Sequence, residues 1–218
     1  MIAAVALAAP ALAQPTPGPA RSPWTDTEAA IAALVAPIDA QLAACVPGRT
    51  RTIGVTVTTA RDGTARAGLP LSYLGYRGPT PADRCLGDVV GSLTVPPLPP
   101  GLAQLSFAYT IGAPPPADPA WTAWRDPVAT IAAAAAADRA ALAACTPAAR
   151  TLRVTVDTRR GRTRAWLPAW PYHAADGSGT TPPALRRVKA CHAKVVRAWS
   201  LPRLPATLGE LQVVLPDR

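Results

Sequence analysis

The chain has 218 residues, and 49% of them are apolar, enough for a buried core and too many for a wholly disordered chain. Aromatics make up only 5%, with a single Phe, so any core is built from Ala, Leu and Val around a few Trp. The formal net charge of +9 points to anionic partners.

Residues 1–13 read as a signal peptide: an apolar run from Met1 ends in Ala11-Leu12-Ala13, a small-x-small cleavage site. The run lacks a basic start and is too short to span a membrane. Charged residues interrupt the other apolar stretches, so no transmembrane segment is expected. No cysteine follows the cleavage site, which argues against a lipid anchor there. Residues 14–23 form a Pro-rich, disordered lead-in.

Residues 24–111 read as a first folded unit. Thr25 and Glu28 have capping-box spacing, and a helix runs from there to Cys45, broken or kinked at Pro37. Thr52–Thr59 alternates as a strand, Asp62-Gly63 supplies a turn, and Thr64–Leu74 reads as a second strand. Pro81 opens a helix carrying Cys85, Pro96–Pro100 is extended, and Leu102–Ile111 is a closing strand. Residues 112–120 form a Pro-rich linker, a semi-rigid polyproline spacer.

Residues 121–218 repeat this order. Asp126 caps a helix with Pro127 in its first turn, and the helix reaches Cys145. Strands at Leu152–Thr158 and Thr163–Trp170, a helix at Pro183–Trp199 and a strand at Glu210–Leu215 follow. Corresponding residues keep their order: Trp24 and Trp124 lie 100 apart, as do Cys45 and Cys145. Val55-Thr56-Val57 matches Val154-Thr155-Val156 at 99, and Leu69-Pro70 matches Leu167-Pro168 at 98. Cys85 and Cys191, and Pro96 and Pro202, lie 106 apart. The expectation is an α+β protein of two tandem α-β-β-α-β two-layer domains, each with a three-stranded sheet packed by helices.

Four cysteines allow three pairings. A duplication favours Cys45–Cys85 and Cys145–Cys191, so that each unit keeps its own staple, in an oxidising compartment. Metal ligation and a reactive dithiol are the alternatives, and neither has the CxxC spacing those uses prefer.

Charge separates the two units. Residues 24–111 hold 6 Arg against 6 Asp or Glu, whereas 121–218 hold 15 Lys or Arg against 6 acids. Arg159, Arg160, Arg162 and Arg164 crowd the second hairpin. Arg186, Arg187, Lys189, Lys194 and Arg197 fall on one arc of the last helix, at about 100° per residue. The bland reading is a solvated face. The sharper one is a surface for lipid phosphates, anionic wall polymers or an acidic protein. Nucleic acid is not expected, because aromatic platforms do not interleave with the cations.

No catalytic serine elbow, phosphate loop or HExxH motif is present. His173 reads as a loop residue and His192 as a partly exposed helix residue. Gly177-Ser178-Gly179 reads as a flexible loop, the acids are scattered, and no cofactor or metal is expected.

The ordered signature resembles the AgmX/PglI C-terminal domain, an envelope module related to the TonB C-terminal fold, in two copies. It consists of a helix ending in Leu-x-x-Cys, a Val-x-Val strand, a second cysteine helix and an aliphatic-Pro-x-Leu-Pro segment. Trp199-Ser200-Leu201-Pro202 matches the family's Trp-containing run, whereas Leu93-Thr94-Val95-Pro96 lacks the Trp. The resemblance implies a periplasmic or secreted, non-enzymatic protein that binds an envelope protein or an anionic envelope surface. A secreted inhibitor or carrier is the runner-up, and a hydrolase with an unrecognised site the third reading.

Overall fold

Alternating apolar and polar residues need a surface buried on one side only, and the β-branched runs of this chain meet that need by pairing into a sheet. The computed structural model describes residues 23–60, 62–70, 78–113, 117–145, 151–168 and 183–215. The first half contains α1 (Thr27–Val35), α2 (Asp39–Cys45), β1 (Thr52–Thr59), β2 (Ala65–Gly68), α3 (Pro81–Gly91) and β3 (Leu102–Thr110). The second contains α4 (Trp121–Trp124), α5 (Pro127–Ala137), α6 (Arg139–Cys145), β4 (Leu152–Arg159), β5 (Arg162–Trp166), α7 (Pro183–Arg197) and β6 (Leu208–Leu215).

The fold is α+β, but its strands do not form two separate sheets. They form one antiparallel six-stranded sheet in the order β2-β1-β3-β6-β4-β5. The closing strands of the two halves pair in the middle, where Leu105 faces Leu211, Gln104 faces Gln212 and Ser106 faces Glu210. Residues 106 apart correspond in sequence, so Leu105 faces its own counterpart. The two register irregularities obey the same relation. Ala103 is the extra residue on β3 and Gly209 on β6, and they too are 106 apart. The pairing is therefore isologous, with a local two-fold relation at Leu105–Leu211. A lone three-stranded sheet would leave the row of backbone groups on its closing strand unpaired, and this junction pairs them.

One face of the sheet carries the core. Ile53, Val55 and Val57 of β1, Leu105 and Phe107 of β3, Val154 and Val156 of β4, and Leu211 and Val213 of β6 are buried under the helices. Their alternate neighbours are mostly half-buried or exposed, and among the described residues no helix packs on that second face.

Each half anchors its entry in the same way. Trp24 and Trp124 are buried, and their indole N–H groups donate to the carbonyls of Pro96 (3.3 Å) and Arg203 (3.0 Å) in the Pro-rich segments. The Asp26 and Asp126 carboxylates cap α1 and α5 through the Ala29 and Ala129 N–H groups. Asp26 thus takes the role expected of Thr25, because seating Trp24 draws Pro23–Thr25 into a 3-10 turn. A 3-10 turn at Ala36–Ile38 carries Pro37 and separates α1 from α2, whereas α5 and α6 meet at a 75° bend without a proline.

The Cys45–Cys85 and Cys145–Cys191 disulfides are formed, with Cα–Cα distances of 5.7 and 5.5 Å, and each ties the helix before the sheet to the helix after its hairpin. β2 and β5 are shorter than expected, and the outer parts of those expected strands, 71–74 and 169–170, lie outside the described residues.

The linker end is docked rather than spacing separate bodies. The Asp118 carboxylate accepts from the Ala206 (2.8 Å) and Ala120 (3.0 Å) N–H groups and pairs with Arg203 at 2.6 Å. Thr27–Cys45 is long and apolar enough to cross a membrane, because only Glu28 and Asp39 fall within it. In the fold this segment buries Leu34, Val35, Ile38 and Leu42 against the sheet and ends in a disulfide.

Candidate functional site

α7 is built to hold one face and offer the other. Val196 and the following Trp199 are buried, and Cys191 fixes the helix to α6. Arg186, Arg187, Lys194 and Arg197 are exposed along the opposite arc, and Lys189 is half-buried at its edge. Cations in the last turn also suit the negative end of the helix dipole.

His192 is not the surface residue expected from the sequence. It is 5% exposed, and its Nε2 lies 3.2 Å from the Leu142 carbonyl near the end of α6. Burial lowers its pKa below the ordinary value of 6.5, with the Leu142 hydrogen bond opposing. The helix rotation explains the error: one residue past Cys191 points into the interface, where Leu86 stands buried after Cys85 in the first half.

The hairpin arginines go elsewhere. Arg160 and Gly161 take positive φ (52° and 73°), making a tight primed turn between β4 and β5. Strand alternation then places Arg159, Arg162 and Arg164 on the uncovered sheet face, with Arg159 opposite Arg162 and Asp157 opposite Arg164. All four hairpin arginines are exposed. The two basic clusters therefore occupy opposite sides of the layered fold and do not merge into one patch.

Sequence reading missed what accompanies the arginines on that face. Trp166 stands opposite Thr155 and is the single exposed large hydrophobic among the described residues, at 36%. Its indole N–H donates to Asp157 Oδ2 at 3.1 Å, which fixes the ring. Asp157 faces Glu210 on β6, so two acids that look scattered in sequence lie side by side. Glu210 Oε1 accepts from the side-chain amides of Gln104 (3.0 Å) and Gln212 (3.2 Å). Thr155 Oγ1 and Asp157 Oδ1 are buried and have no hydrogen-bond partner. The signal available in the sequence was the period-two placement of Arg162, Arg164 and Trp166.

A cleft of about 480 Å³ between α1 and residues 92–96 is lined by Leu34, Ile38, Gln41, Leu93 and Thr94 among others, and none of its lining residues is titratable. Among the described residues no cluster of three metal-ligating side chains occurs. His173 and Gly177–Gly179 lie outside the described residues. No protein-family model, curated protein or solved structure matches this chain.

Proposed function

We propose that the protein is an exported, non-catalytic binding protein of the cell envelope, formed by duplication of one α-β-β-α-β unit of the AgmX/PglI C-terminal type. In this reading the two units share one sheet, and the second binds an anionic envelope component through α7. The observation that carries it is the one-sided basic arc of α7 on a helix anchored by its buried face and by a disulfide. The corresponding helix α3 carries Asp83, Arg84 and Asp88 instead. Two disulfides fit an oxidising compartment, and an anionic leaflet or wall polymer supplies the matching charge.

The triple charge reversal Arg186→Glu, Arg187→Glu and Lys194→Glu tests this. It is expected to abolish retention on anionic phospholipid vesicles at low salt, where charges separated by more than about 10 Å still interact appreciably. Unchanged retention would remove α7 as the binding face.

A further inference from the structure

The uncovered sheet face differs between the halves far more than the core does. At corresponding positions Gly54 becomes Arg153, Thr58 becomes Asp157, Thr64 becomes Arg162 and Gly68 becomes Trp166, while Arg66 remains basic as Arg164. Each change replaces a small side chain with a charged or aromatic one. In the first half the shared threonine is satisfied, since Thr56 Oγ1 lies 3.0 Å from Ser106 Oγ. In the second half Gln212 stands at the position of Ser106 and spends its amide on Glu210, leaving Thr155 Oγ1 unpaired.

Arg162, Arg164 and Trp166 form a row along edge strand β5, about 7 Å from one to the next. Farther in lie the half-buried Glu210 carboxylate and the Gln104 and Gln212 amides of β3 and β6, whereas Thr155 Oγ1 and Asp157 Oδ1 are buried beneath the face. A flat aromatic ring held by a hydrogen bond, guanidinium forks next to it and a polar floor match one ligand chemistry best. The apolar face of a sugar ring stacks on indole, its hydroxyls bond to carboxylate and amide, and acidic groups on neighbouring sugars pair with arginine in bidentate fashion. Single-stranded nucleic acid needs several successive stacking platforms, and Trp166 stands alone among the described residues.

We propose that the uncovered sheet face of the second half binds an acidic polysaccharide, with Trp166 stacking on one sugar and Arg162 and Arg164 pairing with carboxylates on its neighbours. This goes beyond the α7 reading and uses the opposite side of the molecule.

The experiment measures affinity of the whole protein for three probes: polygalacturonate, its fully methyl-esterified form and polyglutamate. Trp166→Ala is expected to weaken polygalacturonate binding about tenfold, and Arg162→Glu with Arg164→Glu to abolish it, with the melting temperature unchanged. Trp166→Phe keeps the platform and is expected to keep most of the affinity, which separates stacking from folding. The esterified polymer should bind more weakly than polygalacturonate yet still depend on Trp166. The α7 triple reversal should leave polygalacturonate binding intact, so the two surfaces fail separately. Absence of polygalacturonate binding, its loss in the α7 variant, or equal affinity for polyglutamate with indifference to Trp166→Ala would overturn the proposal.

Discussion

The two halves share a frame but use their charges in opposite ways. In the first, acids are engaged inside the fold. Asp83 accepts from the Thr80 hydroxyl and backbone and from Arg51, which together hold its carboxyl down at about 2. Asp39 accepts from the Tyr109 hydroxyl at 2.6 Å, and burial together with that carboxylate pushes the phenol up to about 12. In the second half Lys189 stands at the position of Asp83, Arg139 at that of Asp39 and Leu215 at that of Tyr109. One half ties its helices to the sheet with polar contacts, and the other turns charge outward. Two halves with the same apolar pattern and the same disulfide placement can differ in this way because surface positions constrain the core packing little.

The junction offers the largest test of how deep the similarity runs. Leu105 and Leu211 are both fully buried and face each other. Leu105→Ala and Leu211→Ala should each cost about 4 kcal/mol in chemical denaturation, the middle of the range for buried leucines. Because they touch the same space, the double variant should lose less than the sum of the two. Strongly unequal single losses would mean that the two-fold register is not matched by two-fold energetics.

Much of this frame was legible in the sequence. Cysteine spacing, the Val-x-Val strands and the Pro-rich segments located the strands and the cysteine-bearing helices, but not α4 or the break between α5 and α6. The joining of the two sheets was not legible. Leu102–Thr110 and Leu208–Leu215 look like ordinary closing strands, and which strand lies beside them is a long-range choice. The open face was hidden for the same reason. Asp157 and Glu210 are distant in sequence, and only the β4–β6 register brings them together.

A pH-dependent contrast comes next. His192 occupies the place of Leu86, and its pKa in the fold is depressed by burial. Its neutral form is the one the fold favours. Stability should therefore be full above about 6.5 and decline as pH falls through that value toward the lower folded pKa. His192→Leu should flatten this part of the stability curve, measured as melting temperature from pH 8 to pH 5. An unchanged slope would mean that the histidine opens to water before it protonates.

The smallest expected effect separates the halves most cleanly, because it changes the same residue to the same residue at corresponding places. Thr56→Val removes a hydroxyl that is paired with Ser106, and should destabilise by about 1 kcal/mol. Thr155→Val removes a fully buried hydroxyl that has no partner, and should stabilise by about 1 kcal/mol. Opposite signs at equivalent positions would show that the second half keeps an energetic defect on its open face that the first half has resolved. Because this hydroxyl is buried out of a ligand's reach, the Thr155→Val protein should bind polygalacturonate as well as the original. Weaker binding would mean that the face opens around Thr155 when the polymer binds, and that recognition does not rest on Trp166 and the arginines alone.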